Sequence, residues 1–502
     1  MKSTTQEVQN IDKMHNQGVA LYDRKKYAEA AEIFSAIIRI KQDHLPSIER
    51  LAAIARELGN TDTAINLFQA IVDIAPTYAI GYCNLAHALR DVNRTDEAQK
   101  CFEKAAMFAP DDEVTIKMMG TLALAMGDKE KAGEFYLKAY KLNPKDYASL
   151  GSYIMHLHKV TDKDDEYFQA LHRLKKKADK EDNLPRKMSF YQAYAKAFKD
   201  MGDADAEFKY IQEAVKIKRA TFNYNVRSDL KMFEETKKIF TAELVGKYKD
   251  HAIADDAPIF VIGMPRSGST LTDQILCSHK DITSIGEADI LGPIIRRHLH
   301  IQGVKLPIRA TAQRKLSPAG VMKNYLKDAQ KMAGNVPHFV DKSLLNYPWI
   351  GVIRAAMPNA KIIHIKRNPM DCCLSCYTNI FVDSNHAYTY DLKDLGQIYR
   401  AYADMMKHWH EQFPGAILDV AYEDLVADTE GQTRRMLDYI GLPWDDNCLQ
   451  FYDTKRQVRT ASISQVRQPI YKSSVEKWHA YEKHLEPLAE ALGPYGPAEK
   501  KS

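Results

Sequence analysis

The chain has 502 residues, and its 70 Lys+Arg against 66 Asp+Glu leave a formal charge of +4. At roughly 100–200 residues per domain this length suggests several domains, and 45% hydrophobic with 27% charged residues excludes a disordered or collagen-like chain. No apolar run approaches the ~20 residues that span a bilayer, and the near-balanced charge argues against nucleic acid held by bulk charge.

From the N-terminus, the first feature is a repeat. Ala30, Ala64, Ala98 and Ala132 recur every 34 residues, as do Phe34, Phe68, Phe102 and Tyr136. Pro76, Pro110 and Pro144 keep the same spacing, and Gly18, Ala52, Ala86 and Gly120 complete the register. This pattern resembles the tetratricopeptide repeat, a pair of antiparallel helices per unit. The small residues let paired helices approach, the aromatic fills the space between units, and Pro ends the second helix. The register weakens over 147–180, where Glu166 and Ala170 occupy the Ala and aromatic positions. It returns at 187–220 with Ala206 and Tyr210. The expectation is an all-α solenoid over 1–220, then a helical bridge over 221–256 with a helix at Asp229–Lys249.

At Pro258 the pattern changes. Pro258–Gly263 is a short apolar run ending in Gly, which suits a buried parallel strand. Similar runs at Val336–Val340, Lys361–Ile365 and Ala416–Val420 alternate with helical stretches such as Asn368–Tyr377 and Asp394–Gln412. Alternation of this kind predicts an α/β domain with a mainly parallel sheet over 257–495.

The first strand runs into Gly263-Met264-Pro265-Arg266-Ser267-Gly268-Ser269-Thr270, followed by a helical pattern. A Gly-containing turn from strand to helix presents backbone N–H groups to an anion. The spacing is that of a nucleotide P-loop up to the second Gly, where Lys should follow to reach the β- and γ-phosphates. Ser269 stands there, and Arg266 supplies the cation from inside the loop. Such a loop suits a single 5′-phosphate better than a triphosphate, which disfavours a P-loop kinase. Downstream, Asn368 is placed to cap a helix, Pro369 suits its first turn, and Asp371 complements its positive end. Arg367 falls at a strand's C-terminal edge, where open α/β sheets bind ligands, and Ser375 lies one turn into the helix.

Pro265–Thr270 after an apolar strand resembles the 5′-phosphosulfate loop of sulfotransferases. The resemblance implies 3′-phosphoadenylyl sulfate (PAPS) as donor and adenosine 3′,5′-bisphosphate as product. It implies Arg266, Ser267, Gly268, Ser269 and Thr270 around the 5′ end, and Arg367 and Ser375 at the 3′-phosphate. The segment Ser462–Tyr471 with Glu476-Lys477-Trp478 is similar to the corresponding part of tyrosylprotein sulfotransferases. There the segment folds over the nucleotide, so Lys477 would reach the donor. Tyr422 matches a late-strand tyrosine near the 3′-phosphate. Asn379 stands where those enzymes place a further basic residue.

Sulfuryl transfer asks mainly for positioning and charge stabilisation. A phenol, with a pKa near ~10, needs a base at neutral pH. Glu287 falls where the tyrosylprotein enzymes carry their catalytic Glu, and burial there would raise its pKa. Arg266 and Lys342 are the candidates to stabilise the leaving group, with Ser462 added by the resemblance. No metal is required, because fixed cations neutralise the charge. Cys372, Cys373 and Cys376 lack the partners of a zinc site and read as helix-face packing. His408 and His410, two apart, do not share a helix face and receive no ligand role.

The sequence therefore predicts a multidomain protein: a tetratricopeptide solenoid followed by a P-loop-like α/β sulfotransferase domain. Its acceptor would be a hydroxyl of a peptide, with peptidyl tyrosine first, or of a glycan or lipid. The repeat groove would recruit acceptor or partner protein. The contrasting reading is a repeat scaffold with an inactive nucleotide-binding domain. Seven cysteines and a polar Met1–Met14 without a signal-peptide stretch predict a cytoplasmic protein without a membrane span.

Overall fold

The computed structural model describes residues 2–92, 94–301, 317–381, 386–453 and 475–497. It divides into two compact units, Met1–Ala214 and Val215–Ser502. Among the described residues no helix is long and apolar enough to cross a membrane.

The first unit is a stack of helix pairs. They are α1 (Lys2–Asp23) with α2 (Tyr27–Ile40), α3 (Leu45–Glu57) with α4 (Thr61–Ile74), and α5 (Ala79–Asp91) with α6 (Thr95–Phe108). Next come α7 (Glu113–Ala125) with α8 (Lys129–Leu142), α9 (Tyr147–His156) with α10 (Glu166–Asp179), and α11 (Leu184–Asp200) with α12 (Ala204–Arg219), within which the unit boundary falls. The 34-residue register is a packing register. Ala30, Ala64, Ala98 and Ala132 are all 0% exposed, and the recurring aromatics are buried with them. A Cβ on Gly18 would lie 2.7 Å from Phe34, and one on Gly120 would lie 2.8 Å from Tyr136. In these two repeats the aromatic sits on the glycine, where an added Cβ would crowd the ring.

The fifth pair departs from the register because α9 stops at His156. The chain then runs through a longer connection before Asp165 caps α10 by accepting from Tyr167 and Phe168 N–H. The sixth pair replaces the single aromatic with a cluster. Tyr194 meets Tyr210 edge-on at 4.5 Å, and Phe198 stacks on Tyr210 at 5.5 Å.

In the second unit, the expected helix at Asp229–Lys249 is broken. Helix α13 (Val226–Ile239) ends at buried Phe240, and the short α14 (Ala242–Gly246) restarts from Thr241 as its cap. The interruption has a packing cause. Phe240 leaves the helical conformation and lies so close to Gly351 that a Cβ there would come within 2.3 Å of it.

Five parallel strands follow, β1 (Pro258–Gly263), β2 (Ile282–Gly286), β3 (His338–Asp341), β4 (Lys361–Lys366) and β5 (Leu418–Ala421), in spatial order β2-β3-β1-β4-β5. β1 lies at the centre and is buried throughout, as an apolar run between two neighbours should be. β2 is missing from the sequence expectation. Thr283 and Ser284 interrupt its apolar pattern, and it is an edge strand with half-buried positions. The strands are joined through α15 (Ser269–Leu276), α16 (Leu291–Ile301), α17 (Pro318–Ala333), α18 (Ile350–Ala356), α19 (Pro369–Tyr377) and α20 (Leu392–Gln412). Then come α21 (Tyr422–Ala427), α22 (Thr429–Ile440) and α23 (Glu486–Leu492). One side of the sheet carries a core of Ile259, Val261, Val340, Ile363, Ile365 and Val420 packed with Leu437 and Phe451.

Candidate functional site

The strand order reverses direction between β1 and β4, and a crevice opens at such a switch point beyond the strands' C-terminal ends. The loop after β1 and Arg367 after β4 flank it. Gly268 caps α15 with φ +106, a conformation that favours glycine, and a Cβ there would lie 2.4 Å from Tyr422 Cδ2. Ser267, Ser269 and Thr270 are buried within the loop and first helical turn. Ser267 Oγ has no hydrogen-bond partner among the described residues. A buried hydroxyl without a partner is costly unless a ligand completes it. Beside the backbone of a helix start and a cation, that hydroxyl fits an anionic phosphate.

Arg266 has φ +66, and its Nε donates to Ser375 Oγ at 3.2 Å. Arg367 Nη1 donates to the Arg266 carbonyl at 2.9 Å, and its guanidinium lies 4.9 Å from the centroid of the Tyr422 ring. Asn368 caps α19 as expected, accepting from Met370 and Asp371 N–H. The loop, Arg367, Ser375 and Tyr422 therefore form one contiguous group.

Lys342 is the link to the next group. It is 1% exposed, its Nζ lies 3.0 Å from Glu287 Oε1, and it donates to Thr270 Oγ1 at 3.4 Å. Its neighbour Asp341 takes no part in this pairing. Asp341 accepts from Tyr325 Oη at 2.9 Å, Ser343 N–H at 2.8 Å and Asn346 Nδ2 at 3.3 Å. Burial pushes the Asp341 carboxyl up, and these donors oppose that shift. Asp341 thus pins the turn after β3 and leaves Lys342 aimed at Glu287. The expected burial of Glu287 is not found: its side chain is 48% exposed. β2 ends one residue earlier, at the sheet edge, so the carboxylate faces outward beside the crevice.

Lys477 is exposed. The residues on either side of it are tied down by Asp371, which accepts Glu476 N–H at 2.7 Å and Trp478 N–H at 2.9 Å. Asp371 does more than complement a helix dipole: it fastens a distant turn to the start of α19. The signal for this was absent, because a first-turn Asp is already explained locally. Ser462 lies outside the described residues. Asn379 follows α19, with its N–H on the Cys376 carbonyl at 3.3 Å.

His410 belongs to a separate group of side chains. It shares no face with His408, but it meets Asp419 of β5, with Nε2 3.0 Å from Oδ1. His364 Nδ1 lies 2.8 Å from the same oxygen, and His364 Nε2 pairs with Tyr402 Oη. The ligand atoms of His364, His410 and Asp419 lie within 4.8 Å of one another, a spacing a metal ion could bridge. Lys366 Nζ, 2.9 Å from the other Asp419 oxygen, already supplies a cation there. Burial alone would raise the Asp419 carboxyl, but His364 and Lys366 outweigh it and hold it well below the carboxylate range. The donor set reads as a hydrogen-bonded relay. Helix spacing alone could not reveal it, because its partners come from strands.

Comparison with known proteins agrees with this architecture. Residues 258–446 match the model of the sulfotransferase family, and residues 55–119 and 118–146 match tetratricopeptide-repeat models. The chain therefore carries tetratricopeptide-repeat matches followed by a region that matches the sulfotransferase family. An uncharacterized protein of Aquifex aeolicus is 34% identical over 380 residues, 73% of this chain and 48% of that protein. A protein-tyrosine sulfotransferase of Drosophila melanogaster is 24% identical over 241 residues, 44% of this chain and 46% of that one. The chain thus spans about half the length of these two relatives. Among solved structures, the sulfotransferase domain of the Synechococcus PCC 7002 olefin synthase shares 22% identity at a TM-score of 0.33, covering 45% of this chain and 89% of its own.

Proposed function

We propose that the protein is a PAPS-dependent sulfotransferase that transfers a sulfuryl group to an acceptor hydroxyl, peptidyl tyrosine first. The observation that carries the reading is the Lys342–Glu287 pair, joined through Thr270 to the phosphate loop. It sets a carboxylate base and a buried cation beside the loop suited to a 5′-phosphate. PAPS supplies the activated sulfuryl group. Arg266, Ser267, Gly268, Ser269 and Thr270 bind its 5′ end, while Arg367, Ser375 and Tyr422 hold the 3′-phosphate. Glu287 takes the acceptor's proton, and its exposed position leaves it within reach of an entering hydroxyl. Lys342 and Arg266 stabilise the negative charge that develops on the departing bridging oxygen. Ser462 joins them, and Lys477 reaches the donor, on the strength of the family resemblance. No metal takes part in this reading.

The solenoid, taken as residues 1–220, recruits the acceptor or a partner protein, because stacked repeats present an extended groove. Residues 221–256 bridge to the transferase domain at 257–495. The seven free thiols support a cytoplasmic setting.

A screen of labelled-PAPS transfer across tyrosine peptides, glycans and lipids tests the reading. Transfer to a tyrosine peptide, lost in Glu287→Gln with nucleotide affinity kept, is the expected result. Transfer to glycan or lipid alone would replace the acceptor class, and retained turnover in Glu287→Gln would remove the base. If deletion of 1–220 left acceptor choice and turnover unchanged, the recruiting role would fail.

A further inference from the structure

Two thiols converge on one carbonyl of the phosphate loop. Cys376 Sγ donates to the Pro265 carbonyl at 3.1 Å and Cys372 Sγ at 3.4 Å. Both residues are buried, at 0% and 1% exposure. Cys372, Ser375 and Cys376 share one face of α19, as residues three and four apart do. Ser375 on that face holds the Arg266 side chain, and Arg367, just before the helix, holds the Arg266 carbonyl. The loop is therefore gripped at two consecutive residues by groups on or next to α19.

This grip has a chemical purpose. Pro265 has no N–H, so its carbonyl is its only backbone polar group. A carbonyl facing the anion would repel it, in a loop whose neighbouring N–H groups are there to attract it. The thiols satisfy that carbonyl from the helix side. Arg266 then takes the left-handed conformation at φ +66, which a non-glycine residue adopts only when its surroundings hold it there. Thiols suit the position. They pack as small apolar groups, yet each retains a weak donor. Burial pushes the Cys376 thiol far up, so it keeps its proton for donation.

We propose that Cys372 and Cys376 are positioning residues for the nucleotide's 5′ end, fixing the Pro265 carbonyl away from the anion and holding Arg266 in place. The inference rests on the nucleotide reading of the loop given above. Neither residue touches the reacting atoms. Cys373, equally buried on the same helix, makes no hydrogen bond to the loop among the described residues and serves as a control.

The test is titration of the full chain with adenosine 3′,5′-bisphosphate, with thermal midpoints and donor and acceptor KM measured in parallel. Losing two weak bonds should lower affinity by roughly tenfold in Cys372→Ala/Cys376→Ala. Donor KM should rise by a similar factor and acceptor KM should hold. Cys372→Ser/Cys376→Ser, which restores two donors, should recover most of the affinity, and Cys373→Ala should match the wild type. Affinity within about twofold of wild type in the alanine pair would overturn the positioning role alone. So would an equal loss in Cys373→Ala. A wild-type chain that does not bind the bisphosphate would overturn the nucleotide reading and the positioning role together.

Discussion

The two units assemble from opposite kinds of contact. In the solenoid, side-chain bonds join residues about one repeat apart: Tyr78 to Glu49, Asn143 to Glu113 and Tyr147 to Glu181 are separated by 29, 30 and 34 positions. At the candidate site, Lys342 reaches Thr270, Arg367 reaches Arg266, and Arg266 reaches Ser375 across 72, 101 and 109 positions. The solenoid repeats one local solution, so a defect is met by neighbours of the same kind. The site depends on five strands placing their C-terminal ends at one edge, so a single side chain there can disconnect several groups.

Substitutions in the two units sharpen this contrast. The largest effect should be Lys342→Ala, which removes the contact that joins Glu287 to the phosphate loop. Turnover in the transfer assay should fall by about 10²–10³-fold, and a loss below tenfold would break the comparison.

Next comes Gly268→Ala, where left-handed backbone and a 2.4 Å approach to Tyr422 combine. It should destabilise the α/β unit by about 3 kcal/mol in denaturant titration and abolish bisphosphate binding.

A titratable residue tests the solenoid. Burial lowers His87 to about 4, with Arg90 and Arg56 assisting. Its unfolded value is near ~6.5. The folded state therefore holds it neutral, and its contribution is full above the unfolded value. As pH falls from ~6.5 toward 4 the unfolded chain takes up the proton first, and roughly 2–3 kcal/mol is lost. Amide exchange in α5 should show that loss, and His87→Gln should flatten it. An unchanged pH slope in the variant would assign the effect elsewhere.

The smallest effect should be Gly59→Ala. Its φ is +76, but nothing lies within 4 Å of the added Cβ, so only backbone strain of about 1 kcal/mol remains. Equal costs at Gly59 and Gly268 would erase the distinction between local and assembled structure.

Legibility in the sequence followed the same division. The repeat was readable because Ala30 and its successors carry packing in a fixed period, and the phosphate loop because strand, Gly spacing and helix are adjacent. Asn368 was legible as a cap for the same reason. β2 was not, since an edge strand with Thr283 and Ser284 has no continuous apolar run. Nor was the pairing of Lys342 with Glu287 rather than Asp341. Lys342 and Glu287 lie far apart in sequence, and only the fold brings them together while giving the adjacent Asp341 carboxylate to Tyr325, Ser343 and Asn346. The thiol grip on Pro265 and the Asp371 tether were equally hidden, because each residue had a sufficient local explanation on its own helix.

The most direct measurement of the central claim is calorimetric titration with adenosine 3′,5′-bisphosphate and, separately, adenosine 5′-monophosphate. A site built around two phosphates should bind the bisphosphate in the micromolar range and the monophosphate far more weakly, and Arg367→Ala should abolish the difference. Absence of bisphosphate binding, or equal affinity for both nucleotides, would contradict the account.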